Sequence, residues 1–224
     1  MVKKMINSKL IDHTLLKAFA TEEDIKKLCQ EAIKYDFKSV CVNPCHVALA
    51  KELLKDTGVL VCTVIGFPLG ANTMETKWME TQDAVNNGAN EIDMVINIGK
   101  AKEHDYEYIK NEIAGVVAMA QGNTVKVIIE TCYLNDEEKQ EVCKAATLAK
   151  ANFVKTSTGF GTGGATAEDV KLMKASISDD MFVKASGAVR TKEDVEKMVE
   201  AGASRIGASS GVQIMQGQAG KESY

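Results

Sequence analysis

Asn152-Phe153-Val154-Lys155-Thr156-Ser157, then Gly159-Phe160-Gly161-Thr162-Gly163-Gly164, then Thr166-Ala167-Glu168-Asp169: this stretch reads as a strand, a glycine-rich turn and a capped helix start. The short apolar run bounded by glycines has strand character. Thr166 sets a hydroxyl acceptor three residues before an acidic first-turn residue, a helix N-terminus signature. The order repeats at once, with Met181-Phe182-Val183-Lys184-Ala185-Ser186, the turn Gly187-Ala188, and Thr191-Lys192-Glu193-Asp194. Working outward, strand-like runs fall at Leu10 to Leu16, Ser39 to Asn43, Leu60 to Gly66, Glu91 to Ile98, Val125 to Thr131, Asn152 to Ser157, Met181 to Ser186 and Arg205 to Ser209. Amphipathic segments separate them, with further helix starts at Thr21-Glu-Glu-Asp24 and Asn135-Asp-Glu-Glu138, and helix ends at Gly88 and Gly202.

Strand alternating with helix eight times, without a Pro- or Ser-rich linker, predicts parallel strands closed into a single-domain α/β fold, the (β/α)8 TIM barrel, over residues 1–224. An open doubly wound sheet would carry Gly-x-Gly-x-x-Gly after its first strand, and Thr14-Leu-Leu-Lys-Ala does not. The end, about 217–224, closing on Gly220-Lys-Glu-Ser-Tyr224, has the composition of a mobile tail.

Apolar residues make up 45% and charged residues 26% of the 224, so a substantial core is available. A formal charge of −4 and a single tryptophan supply neither the basic face nor the stacking platforms of a nucleic-acid binder. No apolar run approaches the roughly 20 residues of a membrane span, and the N-terminus has no signal-like apolar region, so a cytoplasmic protein is expected. Cys29, Cys41, Cys45, Cys62, Cys132 and Cys143 form no paired CxxC knuckles; Cys41, Cys45 and His46 lack the further ligand that closes a structural zinc site. Reduced thiols and no metal are the expectation.

The chemistry concentrates in the late strands. Burial and a neighbouring cation both favour the neutral amine, so Lys155 and Lys184, facing one cavity, are expected to depress each other's pKa until one is nucleophilic near neutral pH. A strand-edge lysine with its ammonium in water is the plain alternative. Side chains alternate along a strand, grouping Asp93 with Val95 and Asn97, Phe153 with Lys155, and Phe182 with Lys184. One carboxylate and two lysines then converge near the C-terminal ends of barrel strands, where active sites of this architecture lie. The turns at Gly159 to Gly164, Ser186-Gly187-Ala188 and Gly207-Ala-Ser209-Ser210-Gly211 follow the sixth, seventh and eighth strands. Their amides and hydroxyls, with Arg190, suit a phosphorylated substrate. His13, His46 and His104 compose no triad or metal array.

Ile11-Asp12-His-Thr14-Leu-Leu16, Ser39-Val-Cys41-Val-Asn-Pro44, Cys62-Thr-Val-Ile-Gly-Phe-Pro-Leu-Gly70, Glu91-Ile-Asp93-Met-Val-Ile-Asn97, Phe153-Val-Lys155-Thr-Ser-Thr158-Gly-Phe160, Val183-Lys184-Ala-Ser-Gly187 and Arg205-Ile-Gly-Ala-Ser209 together resemble the bacterial DeoC-type deoxyribose-phosphate aldolase family, from about Leu10 to Gly217. The resemblance implies a metal-independent class I aldolase on a (β/α)8 barrel. It needs no cofactor and reversibly cleaves 2-deoxy-D-ribose 5-phosphate to acetaldehyde and D-glyceraldehyde 3-phosphate in deoxyribonucleoside catabolism. It implies Lys155 as the Schiff-base lysine, Lys184 as the neighbouring cation, Asp93 as the proton shuttle and Tyr224 as the donor to the enamine. Substrate contacts are expected from Asp12, Thr14, Cys41, Thr158, Gly159, Gly187, Ala188, Arg190, Gly207, Ser209 and Ser210, and a homodimer is the family habit. The family usually has two glycines after the second lysine motif, where this chain has Gly187-Ala188. A methyl at a position needing positive φ, or beside a phosphate, would weaken the grip on phosphate. Two rivals stay open: a phosphosugar isomerase using Asp93 as base, and a catalytically idle sugar-phosphate sensor.

Overall fold

The computed structural model describes residues 6–220. Strands β1 (Ile11–Leu15), β2 (Ser39–Val42), β3 (Leu60–Ile65), β4 (Glu91–Val95), β5 (Thr124–Ile128), β6 (Phe153–Lys155), β7 (Phe182–Ser186) and β8 (Ala203–Ala208) close in sequence order into a parallel barrel. Helices α1 (Glu22–Tyr35), α2 (Val47–Leu53), α3 (Met74–Asn86), α4 (Ile98–Lys102), α5 (Tyr106–Met119), α6 (Asp136–Leu148), α7 (Ala167–Ser176), α8 (Lys192–Glu200) and α9 (Gly211–Met215) follow the strands. The (β/α)8 expectation holds.

The four expected helix starts form as read. Thr21, Asn135 and Thr191 make reciprocal capping boxes with Asp24, Glu138 and Asp194, and the Thr166 hydroxyl accepts from the Asp169 amide. The fourth, fifth and sixth strands are each trimmed by about three residues, the sixth to Phe153–Lys155, and β1, β2, β3 and β7 by one or two. The fourth stops at Val95 because Asn97 turns to cap the short helix α4, its side chain accepting from the Lys100 amide. The fifth stops at Ile128 because Glu130 takes a left-handed φ of 53°. Conversely, β8 begins at Ala203, two residues before the expected Arg205.

Alternation sorts the strand residues into two environments. Ile92, Met94, Val125, Val127, Val154, Val183 and Ile206 face outward and are fully or almost fully buried in the core between sheet and helices. Their in-strand neighbours Glu91, Asp93, Lys126, Lys155, Lys184 and Arg205 face into the barrel. A separate small cluster of Leu16, Cys41, Cys62 and Val64, with Phe67 against it, completes the interior. Among the described residues no helix is long and apolar enough to cross a membrane.

Candidate active site

Register sets the charged interior. Asp93 on β4 pairs with Lys126 on β5, while Lys155 on β6 pairs with Lys184 on β7, which in turn pairs with Arg205 on β8. A register shift between β7 and β8 at Val183/Lys184 brings Arg205 opposite Lys184, the kind of local irregularity that re-aims a side chain. Asp93 is the hub. Its Oδ2 accepts from Lys155 Nζ at 2.8 Å and Lys184 Nζ at 2.7 Å; its Oδ1 accepts from Lys126 Nζ at 2.8 Å and the Cys62 thiol at 3.1 Å. Deeper in the barrel, Lys126 lies 2.7 Å from Glu91, and Arg205 bridges Glu91 and Asp12 at 3.0 and 2.9 Å. The Arg205 guanidinium also sits 5.3 Å over the Phe153 ring.

These charges fix one another. Burial opposes ionisation of Asp93, but Lys126, Lys155 and Lys184 overcome it and hold the carboxyl well below the usual range. Burial likewise opposes the charge on Lys184, but Asp12 and Asp93 prevail and hold its ammonium above the ordinary lysine range. Lys126 is raised in the same way, against burial, by Asp93, Cys62 and Glu91. The expected depression of Lys184 is therefore corrected: two carboxylates hold its ammonium charged. Three carboxylates (Asp12, Glu91, Asp93) already balance three cations (Lys126, Lys184, Arg205). Lys155 stands outside that balanced set and donates to the same Asp93 Oδ2 as Lys184, at 2.8 Å. Lys155 retains 3% exposure where Lys126 and Lys184 retain 0%, so it alone of the three reaches the surface.

Above β6, β7 and β8 the glycine-rich turns enclose a cleft of about 320 Å³, and Gly159, Gly187, Ala188, Arg190, Gly207 and Ser209 all line it. Gly187 and Ala188 are both left-handed, with φ of 73° and 62°. They pass so close to the preceding turn that a β-carbon on Gly164 would lie 2.5 Å from the Gly187 carbonyl carbon. The Ala165 amide donates to the Ser186 and Gly187 carbonyls at 3.1 and 3.0 Å, locking the two turns together.

Other residues expected to contact the substrate, Asp12, Thr14, Cys41, Thr158 and Ser210, do not line this cleft. Asp12 is fully buried behind Lys184, 2.6 Å from its Nζ, and accepts from the Ser39 hydroxyl at 2.7 Å. The Thr14 hydroxyl donates to the Asp12 carbonyl, and the Thr158 hydroxyl donates to Glu130. Ser210 is buried with its hydroxyl against Gly220 rather than on the cleft. Cys41 is fully buried beside Cys62, whereas Cys45 is exposed, so the Cys41-Cys45-His46 cluster is not assembled. Cys41, Cys62 and Asp93 do offer three donor atoms within 4.8 Å of one another, but the Nζ atoms of Lys126, Lys155 and Lys184 already occupy the carboxylate. Tyr224 lies outside the described residues. Of the expected mobile tail, Gly220 is tied through its amide to the Arg190 carbonyl at 2.9 Å.

Sequence reasoning passed over Lys126, Glu91 and Arg205, although the alternation that turned Asp93 inward also turns Glu91, two residues earlier, and Lys126, flanked by two valines. Glu130 carried no such signal. It is buried in an irregular turn, takes hydrogen bonds from the Thr158 amide and hydroxyl, and burial raises its pKa.

The sequence model for DeoC/LacD family aldolase matches residues 7–218. The chain belongs to the DeoC/LacD aldolase family. Within that family it is 59% identical, over 98% of its length and 100% of the relative, to a deoxyribose-phosphate aldolase of Staphylococcus epidermidis. It is 59% identical, over 93% of its length and 92% of the relative, to one of Caldanaerobacter subterraneus. Among solved structures, the deoxyribose phosphate aldolase of Aeropyrum pernix, described as a tetramer, superposes with a TM-score of 0.88 at 36% identity, covering 93% of this chain and 89% of that one. An aldolase of this family is a carbon-carbon lyase, and the barrel interior has the amine and charged hub that such chemistry needs.

Proposed function

We propose that the chain is a class I aldolase that reversibly cleaves 2-deoxy-D-ribose 5-phosphate to acetaldehyde and D-glyceraldehyde 3-phosphate, with Lys155 as the Schiff-base nucleophile. The observation that carries the reading is the convergence of Lys155 and Lys184 on one oxygen of Asp93, at 2.8 and 2.7 Å. Lys155 in its neutral form attacks the C1 aldehyde of the open-chain sugar, and loss of water from the carbinolamine gives an iminium. The iminium draws electrons from the bond one carbon removed, so C2–C3 breaks as the C3 hydroxyl loses its proton. Glyceraldehyde 3-phosphate leaves, and the two-carbon enamine stays on Lys155. Protonation at C2 and hydrolysis release acetaldehyde and return the amine.

Asp93, held ionised by its cations, takes a proton only transiently; it relays protons among amine, carbinolamine and water rather than storing one. Lys184, charged and immobile, keeps Asp93 aimed. The turns at Gly159 to Gly164, Gly187-Ala188 and Gly207 to Ser209 receive the phosphate with Arg190 at the rim. Tyr224 is assigned the donation to the enamine carbon. An isomerase reading needs a free carboxylate base, and an Asp93 whose two oxygens are engaged by three lysine side chains is poorly suited to it. The sugar-phosphate and aldehyde partners, a cytoplasmic site in deoxyribonucleoside catabolism, and a homodimer measurable by light scattering belong to the same reading.

Borohydride reduction in the presence of 2-deoxyribose 5-phosphate, followed by intact mass and peptide mapping, tests it. A two-carbon or deoxyribose-phosphate increment on Lys155 is expected. A folded protein with no adduct on any lysine would remove the Schiff-base mechanism and promote the isomerase or the sensor.

A further inference from the structure

Two thiols inside the barrel take no part in the cleavage just described. Cys41 on β2 and Cys62 on β3 are register partners on adjacent parallel strands, and both side chains are fully buried in the small interior cluster with Leu16, Val64 and Phe67. Register partners on neighbouring strands stand about 5 Å apart, inside the range of α-carbon separations that a disulfide spans. Their sulfur atoms already lie within 4.8 Å of each other. We propose that Cys41 and Cys62 are a reversible oxidative modification site, closing to an interior disulfide under a hydroperoxide and opening again under a thiol reductant.

The surroundings divide the two roles. A hydrogen bond with Cys62, aided by the neighbouring Lys184 and Lys155, lowers the Cys41 pKa against burial and Asp93. Burial pushes the Cys62 thiol well up. Cys41 is thus the sulfur that reacts first, since the thiolate is the nucleophile. Its thiolate attacks the terminal oxygen of the hydroperoxide, the O–O bond breaks, and the departing alkoxide takes up the Cys41 proton to leave as an alcohol, or as water from hydrogen peroxide. The Cys41 sulfenic acid is then attacked by Cys62: the S–S bond forms, the S–O bond breaks, and hydroxide leaves with the Cys62 proton as water. Two thiols are oxidised by two electrons and one hydroperoxide is reduced. The pair sits beside Lys155, which an aldehyde must reach in any turnover, so a molecule the size of hydrogen peroxide has the same route.

Closure has a consequence for Asp93. The Cys62 thiol now donates to Asp93 Oδ1 at 3.1 Å and receives Lys126 Nζ at 3.4 Å. Turned towards Cys41, it withdraws that donor from the hub of the charged set, and turnover is expected to fall several-fold while the fold persists.

The experiment is carried out on the full chain with hydrogen peroxide at a few equivalents, quenched with catalase. Free thiols are then alkylated under denaturing conditions and the peptides mapped without reduction. The expected result is a cross-linked pair of peptides carrying Cys41 and Cys62, two daltons lighter than their sum. Activity on 2-deoxyribose 5-phosphate falls several-fold in parallel and returns with dithiothreitol. The exposed Cys45 and Cys132 are replaced by serine so that they do not consume the oxidant. Cys62→Ala is expected to lose both the cross-link and the reversibility, leaving Cys41 to progress to sulfinic acid. Recovery of Cys41 and Cys62 fully alkylated, or a loss of activity that dithiothreitol does not restore in the Cys62-containing protein, overturns the proposal. The cross-link is read by mass and is independent of whether the substrate assigned above is correct.

Discussion

The two faces of the same eight strands make opposite use of burial. Outward, Ile92, Met94, Val125 and Val154 pack under the helices without a polar atom among their side chains. Inward, one residue away along the chain, Asp93, Lys126 and Lys155 stand with Glu91, Lys184 and Arg205 in an interior that barrels of this type ordinarily fill with branched apolar side chains. Replacing a buried ion network by apolar residues is often neutral or favourable to stability, so the charged interior has no evident purpose in folding. The stability of the molecule resides in the shell and its chemistry in the lumen, separated by one step of the pleat.

Lys155→Met breaks the comparison most sharply. It removes the proposed nucleophile but leaves three carboxylates facing three cations. Turnover is expected to fall on the order of 10⁴-fold, the scale of losing a nucleophile that acts as one unit with its partners. The denaturation midpoint should hardly move. A large loss of stability in this variant would show that Lys155 belongs to the balanced set after all.

Asp93→Asn is expected to damage both properties, because Lys184 and Lys126 lose the carboxylate they share. Removing one partner from a buried ion pair costs about 3–5 kcal/mol, and losing the proton relay proposed for Asp93 would cost about 10²- to 10⁴-fold in rate. The same residue dictates a pH dependence. Asp93 and Asp12 have folded pKa values held below their unfolded values by neighbouring cations, against burial, so the folded state binds fewer protons than the unfolded chain. The stability they contribute is complete above about pH 4, the unfolded carboxylate value, and drains away as the pH falls below it towards the folded values. Urea titrations from pH 7 to pH 3 should show that decline, and Asp93→Asn should flatten it. Equal slopes in the two proteins would place the acid sensitivity elsewhere.

Ile92→Ala, one residue back and on the other face, is the matched control. It deletes three carbons from a fully buried core position and is expected to cost about 2–5 kcal/mol in urea unfolding. The turnover number per folded molecule should stay near that of the parent.

The period-two pattern that separates these faces is the part of the molecule most legible in the sequence. It supplied the eight strands and the closed barrel, and it turned Asp93, Lys155 and Lys184 inward together. Applied to every strand it also turns in Glu91, Lys126 and Arg205. A single charge in an apolar run, such as Lys126 between Val125 and Val127 or Glu91 and Arg205 before an isoleucine, reads as an isolated exception until closure shows what it meets. The charge state of Lys184 was not legible, since it depends on Asp12, which reaches it from a strand more than 170 positions earlier. Neither was the place of Thr158 and Glu130, because Glu130 leaves the strand in a left-handed turn that a glutamate does not announce. Helix caps, by contrast, are local in both sequence and structure, and Thr21, Asn135, Thr166 and Thr191 all perform as read.

The smallest expected effect lies where the lumen opens into the cleft. Ala188 carries φ of 62°, a conformation that costs a non-glycine residue about 1–2 kcal/mol, and it lines the cleft with Arg190. Ala188→Gly relieves that strain, but glycine also loses more freedom on folding, so the net change in stability should stay within about 1 kcal/mol. The informative quantity is selectivity. If the methyl group crowds a phosphate oxygen away from the Gly187 and Ala188 amides, removing it should lower KM for 2-deoxyribose 5-phosphate a few-fold. KM for unphosphorylated 2-deoxyribose, which places nothing there, should not change. An equal fall for both substrates would mean that the methyl restricts the turn as a whole. No change for either would mean that Arg190 and the Gly207 to Ser209 turn bind the phosphate without help from this backbone, and the left-handed alanine would then be a feature of the fold alone.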